Sequence, residues 1–414
     1  MPNRTYVFDP ETSCEGCDDK KDTFTSVNIP LMTLALWVRN NNYDKKHVFC
    51  FFGIEIEAEA FKVKLFQKKT VNQILWGYKD PFLEFLISAS QGIHIPLINK
   101  TVTCPGQDGL TDFIQLQYNN TYYGVSAVNT GQTDINKLEQ FTMWRGESRL
   151  SWWSDKYANM INGTDGTQFS PGVKKDDTFY AFSPEVCRSL YFVYESDQTV
   201  KDINLLRFTA PKELYLSGDV YKPNKGFCVP PGCLPTGLLN ISRCQPLNPP
   251  VVLSPPHFYQ SDKSLLKAVE GLNPEKSKHE TYVDIEPITG IVMRAAKRIQ
   301  INVAVEPVKM FAPTNLNFSR VFLPVMYASE SFVITDGKAA DFRHKVYLPI
   351  TITEVIEYFL MGLGALFILV ALLLLLFATT KKKNALELRV NEGDGHAKDD
   401  ERRPLIGDGS AMYT

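Results

Sequence analysis

From Tyr358 to Thr380 the chain runs through 23 consecutive residues without a charge, YFLMGLGALFILVALLLLLFATT. As an α-helix this run spans roughly 35 Å, enough to cross a ~30 Å hydrocarbon core with some tilt. A buried helix of a globular domain would show a polar face over such a length, and this one has none. Lys381, Lys382 and Lys383 follow at once, whereas Glu354 and Glu357 precede the run. The preference of basic residues for the cytoplasmic side then sets residues 381–414 inside, 353–380 in the membrane and 1–352 in a lumen or outside the cell.

Two features bear independently on that topology. Glycosylation acceptors of the Asn-x-Ser/Thr type occur at Asn3, Asn99, Asn119, Asn162, Asn240 and Asn317, all before the span. All eight cysteines also precede it, and Cys187, Cys228, Cys233 and Cys244 cluster in a proline-rich stretch containing CVPPGC. In an oxidising compartment these four read as two disulfides holding a loop-rich excursion. Cys14 and Cys17 form a CxxC next to Asp18 and Asp19, but no second CxxC or histidine pair completes a tetrahedral zinc set. The first residues, MPNRTYVFDPETSC, lack the apolar core of a signal peptide. The chain is therefore expected to be a partial product lacking an N-terminal membrane segment.

With 44 Lys and Arg against 46 Asp and Glu, and no dominant basic block, nucleic acid is not the expected partner. A hydrophobic fraction of 44% is too high for a disordered chain. Strand-like alternation recurs in the exoplasmic part. Arg298–Glu306 sets Ile299, Ile301, Val303 and Val305 on one face, a period of two. Residues 281–294 read as two strands broken around Pro287 and Gly290, and Leu190–Tyr194 and Phe322–Tyr327 as further strands. Ile54–Phe66 is predicted helical from its mix of helix formers, and Val71–Trp76 as one or two turns closed by Gly77. The fold class expected is α+β: a β-rich domain with a small helical group near residues 30–90, followed by the membrane helix.

Catalytic signatures are missing from the sequence. It contains no GxSxG, no HExxH and no phosphate-binding glycine loop, and GLGAL lies inside the span. The six histidines are scattered without metal spacing; His279 beside Glu280 and His257 in SPPHFY read as structural. No cofactor is expected, and the chain reads as a non-enzyme. The tail holds Asp399-Asp400-Glu401-Arg402-Arg403-Pro404-Leu405-Ile406. An acidic residue (Glu401) four positions before an isolated Leu405-Ile406 pair is the pattern that clathrin adaptor complexes read, two aliphatic side chains filling an apolar groove. An endosomal or lysosomal address follows.

Several longer segments carry a family likeness: LWGYKDPFL at Leu75–Leu83, LSWW through MINGTDG in Leu150–Gly166, EVCRSLYFVYES at Glu185–Ser196, GFCVPPGC at Gly226–Cys233, SPPHFYQSD, and the long run Glu270–Asn302. In this order they resemble the class B scavenger receptors, the family of the fatty-acid translocase and of lysosomal integral membrane protein type 2. The DERRPLI ending resembles the lysosomal member more than those of the plasma membrane. The resemblance implies an antiparallel barrel-like ectodomain with an internal tunnel and a helical apex, anchored at both ends of the chain. It implies a Cys187–Cys244 and a Cys228–Cys233 disulfide, and Tyr157 stands where surface members have a further cysteine. The ligand-binding apex would lie between Trp37 and Trp76, with Lys62 and Lys64 as basic contacts and His47 as a pH-sensing group; Lys45–Phe61 departs from the family pattern there and includes Cys50.

Three functions remain open at this level. A lysosomal or late endosomal receptor would carry a luminal hydrolase, pass a lipid such as cholesterol through the tunnel, or both. A plasma-membrane scavenger receptor would take up lipoproteins, fatty acids or microbial surfaces. An adhesion or structural glycoprotein of the lysosomal membrane would need no cargo. Membrane lipids are partners in all three.

Overall fold

The computed structural model describes residues 6–40, 62–82, 84, 93–95, 100–102, 124–245, 248–308, 314 and 317–395. It divides into two compact units, residues 1–334 and 335–414.

The first unit is built on antiparallel pairing. A short helix α1 (Pro10–Ser13) is capped by Asp9, whose side chain accepts from Glu11 N. Strand β1 (Thr23–Val27) pairs with β2 (Phe66–Thr70), and α2 (Ile29–Asn40) leaves directly from β1. Asn28 starts that helix: its side-chain oxygen accepts from Leu31 N at 3.1 Å. Leu31, Met32 and Ala35 of α2 are fully buried against Val303, Val305 and Val308. Helix α3 (Val71–Trp76) opens with a capping box, Thr70 Oγ1 accepting from Gln73 N and Gln73 Oε1 accepting from Thr70 N, and stops at Gly77 with φ 102°. Here the predicted turns of helix and their glycine stop are observed.

Ile54–Phe66 is different. Residues 54–61 lie outside the described residues, and Phe66 is not helical but the first residue of β2. Leu65 O accepts from Asn28 N, Leu65 is buried, and Phe66 faces Val27 in the β1 ladder. Non-local pairing overrides the helix propensity of this segment.

Two further pairs, β3 (Ile93–Ile95) with β4 (Lys100–Val102) and β5 (Ser126–Val128) with β6 (Phe141–Trp144), precede the main sheet. That sheet has eight strands: β7 (Thr178–Ser183), β8 (Arg188–Val200), β9 (Ile203–Thr209), β10 (Leu239–Asn240), β11 (Val251–Ser254), β12 (Tyr282–Ile285), β13 (Val292–Val305) and β14 (Val321–Val333). Their order is β10-β11-β13-β12-β9-β8-β7, with β14 on the other edge of β13. The 14-residue β13 can border three strands because β11 pairs with its second half and β12 with its first, while β14 follows nearly its whole length.

The predicted alternation in β13 is present, but both of its faces are covered. Ile299 and Ile301 pack with one apolar cluster and Val303 and Val305 with the next. The intervening Gln300 and Asn302 are buried too, and they satisfy each other: Gln300 Nε2 donates to Asn302 Oδ1 at 2.8 Å, and Asn302 Nδ2 to Ser254 Oγ at 3.0 Å. The predicted β12–β13 hairpin turns over a buried Glu286, whose carboxylate accepts from Thr289 N and Thr289 Oγ1 at 2.8 and 2.6 Å. Helices α4 (Lys263–Ala268) and α5 (Lys276–His279) lie in the connection from β11 to β12.

The second unit is helical: α6 (Asp336–Phe342), a π-helical turn over Arg343–Tyr347, and α7 (Leu348–Gly395). Asp336–Arg389 is long and apolar enough to cross a membrane, and its apolar side chains from Ile352 to Leu388 are exposed. Exposed Leu and Phe along such a length are stable in hydrocarbon and not in water.

Candidate functional site: an apolar cavity in the main sheet

Strands β7, β8, β10, β11, β12, β13 and β14 together border a partly open cavity of about 360 Å³. Its wall is mostly apolar, formed by Phe182, Val186, Leu190, Phe192, Leu253, Val283, Ile299 and Phe332. No single strand could supply it. The lining residues come from far apart in the sequence, so the cavity exists only once these strands are paired. The volume lies within the ~300–1,000 Å³ typical of small-molecule sites.

Charge on the lining is confined to a few partly exposed groups. Lys297 Nζ is paired with Glu185 and lies 4.0 Å from Glu330, while the Tyr6 hydroxyl donates to Glu330 Oε1. Arg298 turns its guanidinium to main-chain oxygens, with Nη1 donating to Ser277 O and Glu280 O at 2.9 and 3.0 Å. Burial, reinforced by Glu280, pushes the Tyr215 hydroxyl well above its ordinary range, so it stays protonated. Such a site can take an elongated apolar molecule with one polar end. Each buried methylene contributes about 0.8 kcal/mol, and the Glu185–Lys297–Glu330 group offers both donors and acceptors to a headgroup.

The residues singled out by sequence are not part of this cavity. Lys62 and Lys64 are exposed just before β2, Lys62 in a turn with φ 51°, while the adjoining Leu65 is buried and Lys68 within β2 is exposed. Sequence reading missed their neighbour Lys69, whose ammonium lies 3.6 Å from the centre of the Tyr78 ring; burial lowers its pKa and Asp80 opposes that. His47 and Cys50 lie outside the described residues, as do Cys104, the acceptors Asn3, Asn99 and Asn119, and the tail residues Glu401, Leu405 and Ile406.

Of the remaining acceptors, Asn317 is exposed, and Asn162 and Asn240 are partly buried. Asn240 Oδ1 accepts from both Ser242 N and Ser242 Oγ, at 2.8 and 2.7 Å, inside its own acceptor triplet. Disulfides join Cys187 to Cys244, Cys228 to Cys233 and Cys14 to Cys17. His257 and His279, read singly from sequence, are stacked on one another. Nothing in their spacing could have shown that, because they belong to different elements.

A family model described as the CD36 family matches residues 1–375. The chain is 35% identical over 373 residues to Lysosome membrane protein 2 of Homo sapiens, covering 89% of this chain and 71% of that protein. It is 34% identical over 373 residues to Scavenger receptor class B member 1 of Mus musculus, covering 90% of this chain and 68% of that protein. The Cricetulus griseus protein of the same name is 35% identical over 307 residues, 74% of this chain and 57% of that protein.

Proposed function

The chain belongs to the CD36 family of class B scavenger receptors, which are membrane receptors and not enzymes, and from that premise we propose that it is an endosomal–lysosomal receptor that takes a lipid into the cavity of its main sheet. The observation that carries this reading is the cavity itself: a mostly apolar lining around about 360 Å³, with an ion-paired group of Glu185, Lys297 and Glu330 at one place on it. A sterol such as cholesterol, with one hydroxyl on an apolar body, suits that division. Its transfer needs no covalent chemistry.

The assignment to lysosomes and late endosomes is supported by the likeness to Lysosome membrane protein 2 and by the Glu401, Leu405, Ile406 pattern, which fits clathrin adaptors. In this reading residues 1–352 face the lumen, carrying glycans on the acceptor asparagines, and a luminal hydrolase docks at the apical segment around Lys62 and Lys64. A second reading, a plasma-membrane receptor for lipoproteins or fatty acids, draws on the comparable identity to Scavenger receptor class B member 1.

The test is photo-crosslinking with a diazirine cholesterol on the full chain, comparing the unmodified protein with Ala295→Phe, which places a ring at the cavity wall. Labelling of the peptides bearing Leu190 and Ile299, lost in Ala295→Phe, is expected. Equal labelling of the two proteins, or labelling confined to the membrane helix, would sink the cavity as the lipid site.

A further inference from the structure

Arg188 is a cation folded into an apolar wall. It is 4% exposed and follows Cys187 at the start of β8. Its guanidinium lies against two rings, 3.9 Å from the centroid of Phe227 and 4.8 Å from that of Trp153. Its Nη2 donates to the main-chain oxygen of Asn240 at 2.7 Å. Its Nε is buried and has no acceptor among the described residues. Nor does a described carboxylate offset its charge: burial alone pushes the group down to about 9. The acidic side chain of the neighbouring loop, Asp219, is exposed and bound to Lys225 Nζ at 2.7 Å.

Aromatic faces and one carbonyl are a weak substitute for the water that this guanidinium gives up. An unpaired buried charge is among the costliest groups in a fold, and it is normally held by an opposite charge. A small cavity of about 30 Å³ borders Arg188, between Ser217, Asn224 and the Cys228–Cys233 disulfide. That is room for one or two particles of water size, where roughly 10–15 Å³ suffices for a single one. The Asn224 carboxamide does not serve the cation: its Nδ2 donates to Glu213 O and Leu216 O at 2.9 and 2.8 Å, and Arg188 Nε makes no hydrogen bond to its oxygen.

We propose that this cavity is a halide site in which chloride is the counter-ion of Arg188. The size selects a monoatomic anion over phosphate, sulfate or a carboxylate ligand. Water would satisfy the Nε–H but leave the charge unopposed. The site lies where the Cys187–Cys244 and Cys228–Cys233 loops converge on β8 and β10, so an anion there ties the proline-rich excursion to the sheet. Unfolding would release it, and stability would rise with halide concentration by mass action.

The experiment uses the full chain purified in detergent. Thermal unfolding is followed in sodium chloride and in sodium gluconate of equal ionic strength, and crystals grown from the same preparation in bromide are measured at the bromine absorption edge. The expected results are a Tm about 2 °C or more higher in chloride, a flat response in Arg188→Met, and an unchanged chloride response in the exposed Arg243→Met control. An anomalous bromide peak within hydrogen-bond distance of Arg188 Nε is expected in the unmodified protein. Should Arg188→Met not fold, the bromide peak decides alone. Ordinary water density with no anomalous signal at that position overturns the proposal, and so do coincident chloride and gluconate curves.

Discussion

The imidazoles of His257 and His279 are stacked, their centroids 4.5 Å apart and their planes 17° from parallel. Both hold the same connecting segment. Asn273 N donates to His257 Nδ1 at 3.0 Å, and Glu275 N donates to His279 Nδ1 at 2.8 Å. A ring nitrogen that accepts carries no proton, so the bond from Glu275 N is made by the neutral form of His279.

Acid should loosen this clasp. Burial first, then His257, push His279 below its ordinary value near 6.5; Arg298 and Lys278 act the same way, and Glu275 opposes them. As pH falls through 6.5 the unfolded chain takes up a proton that the folded one resists. The contribution to stability is therefore complete above about pH 6.5 and is lost progressively below it. Hydrogen exchange is expected to show residues 273–280 losing protection as pH falls below that value while β13 keeps its own. His279→Gln, which can still accept from Glu275 N without titrating, should flatten the dependence. Unchanged protection of the segment at acid pH would count against the clasp.

Asp284 is fully buried between two arginines. Arg207 reaches it with Nε and Nη2 at 2.7 and 2.9 Å, and Arg294 with Nε. Asp284→Asn removes the one carboxylate that, among the described residues, both guanidiniums bind, and a loss of about 3–5 kcal/mol is expected, read from the shift of the unfolding transition. A loss below about 1 kcal/mol would mean that solvent reaches the arginines.

Gly290 turns the β12–β13 hairpin with φ +75°, and a Cβ there would lie 2.2 Å from Phe169 O. Gly271 has a similar φ of +84° but open space around it. Gly271→Ala therefore carries only the backbone strain, about 1 kcal/mol, whereas Gly290→Ala must also displace a main chain and should cost clearly more. Comparison of the two variants by thermal unfolding isolates the contact; equal losses would show that the Phe169–Ser170 main chain yields freely.

The tail makes a localisation test. A tagged chain preceded by a cleavable signal peptide should reach lysosomes, and Leu405→Ala/Ile406→Ala should move it to the cell surface. Surface location of both forms would favour the plasma-membrane reading. Retention of both in the endoplasmic reticulum would show that this chain does not mature by itself.

Local requirements were legible in the sequence. Gly77 ends α3 because only a residue without Cβ readily adopts φ 102°, and Pro287 with Gly290 marks the hairpin for the same class of reason. The alternation from Ile299 to Val305 is a strand because side chains of an extended backbone point to opposite sides. The segment before β2 was not legible. Its propensity favours helix, and the partner that makes Phe66 extended, Val27, lies far off in sequence. The buried pair Gln300 and Asn302 was hidden similarly, since polar residues between apolar ones read as a solvated face until β11 and the Ser254 hydroxyl cover them.

What the sequence by itself determined is the membrane attachment and the family. Transfer of an apolar run into hydrocarbon depends on composition and length, not on which residues are neighbours in space, and the matching segments are linear. Only the tertiary structure decided where chemistry meets. Seven strands must pair before the cavity has walls, Arg188 lacks a carboxylate among the described residues because the fold brings Phe227, Trp153 and Asn240 around it, and two ordinary histidines become a pair only when their elements pack. Burial, pairing and charge compensation depend on distance in space, which chain order does not contain.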